Sequence, residues 1–429
     1  MLKKPIAPET RVVRRDKDAP PREFSADICV VGSGASGVSA AVESARLGLK
    51  VVLVDSLPAL GGQAVNSIIG MFCGLFDNHA RQLTHGVADD IIRDLQVDGS
   101  LHIVRNSSQP VAMYDEVALG RWVEKTLLKE GVTPLVGAVM RRVRMEGRRI
   151  SALEIANRYG DVVVHATGFI DATGDAALTW LAGLDCREPE GHKNYGSQMM
   201  VIEGFDESRR PGWAEMAERI WEKGQSYGMT RRDGFTAAFP GRNTAVVNMT
   251  HVETPLDPFE ASRKGIDGKE QADRTLVFLK GEFPEAFANA RVRAYGLPGI
   301  RQTRWIVGQH MLTVDEVRRG ERFDDAVART AWPIEQHHNA EGYVWEPFDD
   351  DHLHYVPLRS LTPPEADNLV AVGRCIDADA AALSSVRVMG PCMAMGAAAA
   401  HALDLAGSGS VHQIDIGALR KRVAANVDD

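Results

Sequence analysis

A glycine-rich turn that follows an apolar segment constrains the fold of this chain more than any other feature. Residues 28–31 are a short apolar run, typical of a buried parallel strand, and residues 32–37 read GSGASG. In this G-x-G-x-x-G spacing the first glycine allows a tight turn, the second lets a pyrophosphate approach the backbone, and the third lets the helix pack closely. The helix N-terminus favours an anionic phosphate through its free N–H groups and its dipole. The segment therefore predicts a strand, a turn and a helix that bind a dinucleotide.

The next residues support this interpretation. The predicted helix ends at Gly48, residues 50–54 form a second apolar strand, and Asp55 follows 18 residues after Gly37. That spacing is close to the roughly 20 residues expected for the carboxylate that binds a ribose hydroxyl. A lone G-x-G-x-x-G also occurs in ordinary tight turns, but the strand, helix, second strand and acidic residue together favour dinucleotide binding. The acidic residue disfavours a 2′-phosphate, so we do not expect an NADP-type adenosine.

A second glycine pair indicates which dinucleotide binds. Gly61 and Gly62 follow Asp55 closely, which resembles the FAD-binding fold of glutathione-reductase-type flavoproteins. Residues 169–175 (FIDATGD) and 368–374 (NLVAVGR) extend the match, because both read as strands that end in glycine turns.

Two further motifs resemble one family. Residues 299–308 (GIRQTRWIVG) and 385–396 (SVRVMGPCMAMG) are similar to the GIR-x-x-R and GR…R-V-M…C-M-A-x-G signatures of the bacterial FAD-dependent oxidoreductase family. The resemblance extends over residues 25 to 406, which is most of the chain. It implies FAD as cofactor and an α/β fold: a Rossmann-like FAD-binding domain with a parallel sheet and a β-meander, plus an inserted α+β substrate domain.

The domain boundaries follow from this resemblance and from the hydrophobic pattern. We expect a flexible N-terminal arm at residues 1–24, the FAD-binding domain at 25–184 and 361–425, and the substrate domain at 185–360. Within the substrate domain, Trp213 and Trp221 recur with other apolar residues at helical spacing and predict a helix that faces the core.

The resemblance also implies which residues bind FAD. The segment around Val139 lines the adenine, Arg374 faces the pyrophosphate, and Arg387 faces the flavin or the substrate. The fixed donor fork and permanent charge of arginine suit both sites, although a structural ion pair is the alternative. The full set of predicted FAD-binding residues is Gly32, Gly34, Ala35, Ser36, Gly37, Asp55, Gly61, Gly62, Gln63, Val139, Ala172, Gly174, Gly373, Arg374, Arg387 and Met389.

Arginines and histidines are the candidates for catalysis. Arg301 and Arg304 lie in the GIR-x-x-R motif, where they favour recognition of a carboxylate or enolate; interdomain salt bridges are the alternative. A flavoenzyme that takes hydride from an alcohol or amine also needs a base near the substrate proton. His337 or His338 lies where relatives often show a histidine, and His310 is the second choice.

These residues predict a dehydrogenase or oxidase that takes hydride from a small, anionic organic substrate onto flavin N5. The alternatives are a flavin-dependent reductase of a double bond and a non-catalytic flavin-binding partner protein. No second G-x-G-x-x-G is present, so a built-in NAD(P)H domain is not expected, and the electron acceptor is unknown.

Composition narrows the possible partners. The 429 residues include 49 basic and 58 acidic side chains, and the formal charge of −9 argues against nucleic acid or an anionic membrane as partner. No apolar run reaches the ~18 residues of a membrane span. The N-terminal residues also lack the apolar region of a secretory signal. We expect a cytoplasmic protein that binds a small-molecule substrate. We also expect this protein to form a homo-oligomer, and the family resemblance favours a dimer.

Cysteine and histidine spacing limits the redox and metal chemistry. The five cysteines include no C-x-x-C pair, which suits a reducing compartment and excludes a redox disulfide visible in the sequence. Cys73 follows the glycine pair. Passive packing of its side chain is the favoured interpretation, and a covalent link between its sulfur and flavin is the alternative. No histidine pair has the Cys or carboxylate spacing of a metal site, so no metal is predicted.

Overall fold

The computed structural model describes residues 10–14, 16, 19–105, 109–190, 194–239 and 242–428. Its strands are β1 (Arg22–Val31), β2 (Val51–Asp55), β3 (Met71–Phe72), β4 (Leu101–Val104), β5 (Val111–Tyr114), β6 (Thr133–Val136), β7 (Ala138–Glu146), β8 (Arg149–Asn157), β9 (Val162–Asp171), β10 (Cys186–Arg187), β11 (Met200–Glu203), β12 (Phe235–Phe239), β13 (Thr244–Asn248), β14 (Arg291–Tyr295), β15 (Trp305–Ile306), β16 (Ala326–Thr330), β17 (Ile334–Gln336), β18 (Val344–Glu346), β19 (His354–Pro357) and β20 (Leu369–Ala371). Its α-helices are α1 (Ala35–Arg46), α2 (Gly62–Asn66), α3 (Val87–Val97), α4 (Glu116–Lys129), α5 (Ala177–Leu181), α6 (Trp213–Lys223), α7 (Pro258–Glu282), α8 (Pro284–Phe287), α9 (Val314–Arg319), α10 (Ala380–Val386), α11 (Met389–Ala406) and α12 (Ile416–Val423).

The main layer is a seven-stranded sheet in the order β6-β2-β1-β9-β8-β7, with β20 paired to β9. The strands β6, β2, β1, β9 and β20 pair in parallel, and β7, β8 and β9 form an antiparallel meander. All five residues of β2 are buried, as expected for a parallel strand that is covered on both faces. The predicted α/β fold with a parallel sheet and a β-meander is confirmed.

The strand β9 joins two segments that the sequence presents as separate strands. Its first half pairs with β8 in the meander, and its second half pairs with β20 in the parallel part of the sheet. One continuous strand therefore carries the meander into the Ala-Thr-Gly turn after Asp171.

Close contact between α1 and α11 holds the glycine turn against the C-terminal part of the chain. A Cβ atom at Gly396 would lie 2.1 Å from the Ser36 carbonyl oxygen, so only glycine allows this approach. Ser39 Oγ donates to the Met393 carbonyl at 2.7 Å across the same contact. Proline is favoured at the first position of a helix, so the sequence predicts a helix from Pro391, and α11 begins two residues earlier, at Met389.

A second core forms around an antiparallel four-stranded sheet in the order β12-β13-β11-β14, with α6, α7 and α8 packed on it. The predicted helix at 211–223 is α6, and its buried residues are Met216 and Ile220. The expectation that Trp213 and Trp221 face the core is wrong, because their side chains are 66% and 60% exposed. Trp213 begins the helix at the mouth of a cavity, and the Arg232 guanidinium covers the ring of Trp221 at 4.2 Å.

The domain boundaries stay predictions, although two features bear on them. The second core draws on residues between Met200 and Ala290, whereas Leu312 to Leu361 contribute to the core of the main sheet. Half of the predicted arm lies outside the described residues, and its last three residues, 22–24, form the start of β1 beside β9.

Within the part of the chain that the structure describes, no single helix is both long and apolar enough to cross a membrane. The helices α10 and α11, which meet at a bend of 88°, reach that length and composition only when taken together.

Candidate functional site

A cavity of about 1090 Å³ opens where β1, β9 and β20 end and extends to the second sheet. Gly32, Ala172 and Val372 line it at the carboxyl ends of those three strands, and Arg231, Arg301 and Glu335 line it at the opposite end. Ligands of open α/β sheets bind in this position. We call the two parts the glycine end and the charged end.

The glycine end has the geometry of a phosphate cradle. Gly32 adopts a φ of +101°, and a Cβ atom there would lie 2.3 Å from the Ala172 carbonyl oxygen. A Cβ at Gly34 would meet nothing within 4 Å, so this position borders open space. Gly34 is the N-cap of α1, and no side chain caps the first turn of that helix. Free N–H groups therefore remain there for an anion.

Asp55 is held in place by the same turn. Its Oδ2 accepts hydrogen bonds from Ser33 N at 2.7 Å and Ser33 Oγ at 2.5 Å, and its Oδ1 accepts from Leu57 N at 2.8 Å. The side chain borders the cavity at the end of β2. These contacts orient the carboxylate while leaving lone pairs for a ribose hydroxyl.

Arg374 lies where the Ala-Thr-Gly turn meets the glycine after β20. Its Nη2 donates to Asp175 Oδ1 at 3.0 Å. Gly174, with a φ of +75°, makes room for it, because a Cβ there would lie 2.6 Å from Arg374 Nε. Of the predicted FAD-binding residues, those that border the cavity are Gly32, Gly34, Ala35, Ser36, Asp55, Gly62, Gln63, Val139, Ala172, Gly174, Gly373, Arg374, Arg387 and Met389.

Gly37 and Gly61 do not border this cavity. A Cβ at Gly37 would lie 1.8 Å from the Gly32 carbonyl oxygen, so this glycine lets α1 pack on the turn. Gly61 is the N-cap of α2 and has a φ of +95°. Both shape the backbone around the cradle.

Three arginines surround the charged end. Arg301 Nη1 donates to the Tyr195 carbonyl at 2.7 Å, and Arg387 Nη2 donates to the Glu335 carbonyl at 3.3 Å. Arg231 donates to the carboxylate of Asp233 and, at 2.9 Å, to Asn248 Oδ1. Burial, followed by the charge of Arg387, lowers the pKa of Arg301 to about 9. The low value reflects first the loss of hydration on burial and then the repulsion between neighbouring guanidiniums.

Glu335 borders the cavity and begins a chain of hydrogen bonds that leads away from it. Its Oε2 accepts from Trp332 Nε1 at 3.1 Å, and its Oε1 lies 2.8 Å from His337 Nε2. His337 Nδ1 lies 2.9 Å from His251 Nε2, and His251 Nδ1 lies 2.9 Å from the Ala340 carbonyl oxygen. His337 is 1% exposed and stands behind Glu335 as seen from the cavity.

The charges around Glu335 keep it ionised. Burial acts to raise its pKa, but the hydrogen bond with His337 and the charges of Arg387 and Arg301 outweigh burial. The pKa of Glu335 therefore lies well below its usual range. Burial lowers the pKa of His251 to about 2, with Arg231 and Arg301 acting in the same direction.

Besides His337, three predicted catalytic residues do not border the cavity. Arg304 pairs with Glu188 Oε1 at 2.8 Å and lies over the ring of Trp180 at 4.2 Å. His338 is exposed next to His337. His310 Nε2 lies 3.1 Å from a carboxylate oxygen of Glu316, which belongs to the capping box of α9. Of the predicted catalytic residues only Arg301 borders the cavity directly.

Comparison with known proteins identifies the kind of enzyme to which this cavity belongs. The family model of FAD dependent oxidoreductases matches residues 27–423. The chain belongs to this family. FAD is therefore its cofactor, and the protein is an FAD-dependent oxidoreductase.

Individual proteins and solved structures are more distantly similar to this chain. The chain is 23% identical over 235 residues to NADH:fumarate oxidoreductase of Klebsiella pneumoniae (strain 342), a match that covers 43% of this chain and 25% of that protein. The chain thus spans about a quarter of the curated relative it matches. A geranylgeranyl bacteriochlorophyll reductase-like protein from Thermoplasma acidophilum has the same fold (TM-score 0.51, 15% identity, 93% of this chain and 82% of that one). The flavin-dependent brominase Bmp2 aligns over 94% of this chain and 83% of its own at a TM-score of 0.46 and 13% identity.

The residues at the glycine end of the oxidoreductase fit FAD. Open space at Gly34 lies next to the uncapped first turn of α1, which suits a pyrophosphate, and Asp55 offers a carboxylate for the ribose. The helix α11 also begins at the cavity without a side-chain cap, but Gly390 N donates to the Cys73 carbonyl at 2.9 Å and Pro391 has no N–H, so its first turn offers few free donors.

Cys73 borders the cavity, as a covalent link to flavin would require. Burial, and then the charge of Glu335, raises the pKa of its thiol far above the ordinary value. The thiol therefore stays protonated, which disfavours attack on any electrophile. All five cysteines are free, and no group of three or more potential metal ligands occurs among the described residues.

Sequence reasoning missed His251, Arg231 and Asp233. They lie in loops that flank β12 and β13, and no local motif surrounds them. Their role becomes visible only when the second sheet packs against Glu335, Arg301 and Tyr343.

Proposed function

We propose that this oxidoreductase is a dehydrogenase or oxidase of a small organic anion. Arg301 and Arg387 bind the anionic group, and Glu335, supported by His337, accepts the proton that the substrate loses. FAD, when bound, accepts the hydride.

The observation that carries the proposal is the imbalance of charge at the charged end. Among the described residues, the guanidiniums of Arg231, Arg301 and Arg387 face only two carboxylates there, those of Asp233 and Glu335. Glu253 also borders the cavity, but it pairs with Lys264 at 3.0 Å. An uncompensated charge away from water is costly, and a bound anion would relieve that cost.

Glu335 is the better candidate for the base because it borders the cavity, whereas His337 does not. Its lowered pKa keeps it in the proton-accepting form at neutral pH. His337 contacts Oε1 and Trp332 contacts Oε2, so both oxygens of the carboxylate have fixed positions. Preorganisation of this kind supports proton transfer at a defined atom.

The test is anion binding to the FAD-loaded protein, with acetate, succinate and benzoate as probes and the visible flavin spectrum as readout. Hydrogen bonds to charged groups contribute about 1.5–3 kcal/mol, so Arg301→Met should weaken the best probe roughly 10- to 100-fold. Arg304→Met is the matched control, because that arginine lies in the same motif but away from the cavity. Unchanged anion affinity in Arg301→Met would contradict the proposal. Loss of FAD from this variant would also contradict it, because the arginine would then bind the cofactor and not the substrate.

A second candidate is reduction of a double bond in a dicarboxylate. It is favoured by the match to a protein named NADH:fumarate oxidoreductase, since the same arginines suit a substrate with two carboxylates. The two directions are distinguished anaerobically. Reoxidation of the dithionite-reduced protein by fumarate supports the second candidate, and bleaching of the oxidised protein by a carboxylate-bearing alcohol or amine supports the first.

A further inference from the structure

The row of groups that begins at Glu335 contains one more hydrogen bond than an ionised carboxylate and two neutral imidazoles can supply. Three contacts of 2.8–2.9 Å link Glu335 Oε1, the two rings of His337 and His251, and the carbonyl oxygen of Ala340. The two ends of this row, a carboxylate and a carbonyl, accept hydrogen bonds and donate none.

A count of hydrogen atoms follows from these partners. Each of the three contacts needs one hydrogen atom, and a neutral imidazole carries one. If His251 donates to Ala340 and His337 donates to His251, the single N–H hydrogen atom of each neutral ring is already engaged. His337 Nε2 and Glu335 Oε1 would then face each other with lone pairs at 2.8 Å. One more proton is needed to make that contact a hydrogen bond.

We propose that Glu335, His337 and His251 hold this additional proton in common, as a buried store behind the cavity. The storage does not depend on the proposed function; the further step, exchange of this proton with a substrate through Glu335, rests on it. His251 is a positioning residue in this arrangement. It fixes His337 Nδ1 as a donor and thereby turns His337 Nε2 toward the carboxylate.

The surroundings indicate where the proton resides. Glu335 is disfavoured as its site, because His337, Arg387 and Arg301 lower the pKa of this carboxyl. His251 is disfavoured by burial and by the charges of Arg231 and Arg301. For His337, burial and Arg301 lower the pKa to about 3, against the opposing hydrogen bond and charge of Glu335. The contact of this ring with the carboxylate, together with the count of hydrogen atoms, assigns the proton to His337.

Aromatic rings stack on both imidazoles. Tyr343 stacks on His337 with ring centroids 5.0 Å apart, and Tyr195 stacks on His251 at 5.5 Å. The Tyr195 peptide also receives the Arg301 hydrogen bond at its carbonyl and donates from its N–H to the His337 carbonyl at 2.8 Å. The store and the arginine that faces the cavity are thus both hydrogen-bonded to the backbone of Tyr195.

The test is the nitrogen NMR spectrum of the FAD-loaded protein labelled with ¹⁵N-histidine, recorded at pH 7. The store predicts one buried imidazole with protons on both ring nitrogens, assigned by its loss in His337→Gln. A His337 ring with one unprotonated nitrogen would overturn the proposal.

Three variants test the proposal further, and none of these measurements needs a substrate. In Glu335→Gln the amide N–H can donate to His337 Nε2 while the amide oxygen accepts from Trp332, so the doubly protonated signal should disappear. His251→Gln retains an acceptor for His337 and a donor for Ala340, so the signal should persist. His251→Phe removes that acceptor and should abolish it. A doubly protonated His337 in Glu335→Gln would refute the count, and His338→Gln, at an exposed ring, is the control that should change nothing.

An NMR result that supports the store, combined with no anion binding in the Arg301 experiment, would leave the store intact and refute the proposed function. The opposite pair of results would leave the proposed function intact and refute the store. The two claims therefore fail separately.

Discussion

The glycine end and the charged end of the cavity are built in different ways. At the glycine end, a run of about thirty residues supplies the turn, the first helix turn and Asp55, and most of the ligand-facing groups belong to the backbone. At the charged end, side chains from distant segments converge: Tyr195, Arg231, His251, Arg301, Glu335 and Arg387. One site can therefore combine a part formed by residues close in sequence with a part assembled from residues that are far apart in sequence.

The two ends also differ in energetic cost. Backbone N–H groups are neutral dipoles that need little compensation, so the glycine end tolerates the absence of a ligand. Buried charges must be paired, and removal of one partner leaves the other uncompensated. We therefore expect substitutions at the charged end to affect folding, and well-chosen substitutions at the glycine end to affect the cofactor alone.

The largest effect is expected for Glu335→Ala. It leaves His337 and Arg301 without their carboxylate, and breaking a buried pair in this way costs about 3–5 kcal/mol. Urea unfolding of the FAD-loaded variant measures the loss. Glu335→Gln removes the charge but keeps both hydrogen bonds of the side chain, so it is the control that separates the two contributions and should lose less stability than Glu335→Ala. Equal losses in the two variants would show that the charge accounts for the whole effect and that the hydrogen bonds add nothing.

Within the glycine end, Gly32→Ala and Gly34→Ala should separate folding from cofactor binding. A methyl group at Gly32 meets the Ala172 carbonyl and forces a left-handed conformation, which costs at least about 1–3 kcal/mol. A methyl group at Gly34 projects into open space and should leave the melting temperature of the FAD-free protein unchanged.

The same Gly34→Ala protein should bind FAD at least tenfold more weakly, because the methyl group occupies the pyrophosphate position next to α1. Fluorescence titration with FAD provides the measurement. Full FAD affinity in Gly34→Ala would place the pyrophosphate elsewhere.

A smaller effect on FAD affinity is expected for Asp55→Asn. Loss of the charge weakens a hydrogen bond to the ribose, worth about 1.5 kcal/mol or roughly tenfold in the dissociation constant. Asp27→Asn is the control on the neighbouring strand, because Asp27 accepts from Lys50 N at 2.7 Å and does not border the cavity. If both variants bind FAD equally, Asp55 acts only on the fold.

Arg304→Ala should have the smallest effect. Its ion pair with Glu188 is partly exposed, and pairs of this kind contribute about 0–1 kcal/mol. Thermal unfolding should change by a few degrees at most, and anion binding should match the wild type. A loss of anion binding as large as that in Arg301→Met would show that Arg304 also contributes to the anion-binding site.

Much of the glycine end could be predicted from the sequence. The turn at residues 32–37, the acidic residue at 55 and the helix after Val388 depend on local rules: backbone angles that glycine allows, the polarity of a helix end, and the alternation of strand and helix. The family resemblance added Gly174 and Arg374, whose guanidinium occupies the space that a side chain at 174 would fill.

The charged end was only partly predictable. Arg301 and Arg304 are equivalent in the motif, but the chain turns one toward Tyr195 and the cavity and the other toward Glu188 and Trp180. His337 was predicted as the base, yet the structure puts Glu335 in front of it. His251 carries no local signal at all.

The sequence by itself determined the parallel sheet, the dinucleotide cradle and the class of cofactor, because the turn and its flanking elements obey rules that act over a few residues. Only the tertiary structure decided which charged side chains meet at the other end of the cavity. Their interactions are long-range in sequence and depend on burial, which converts an arginine or histidine from a surface residue into part of a coupled site.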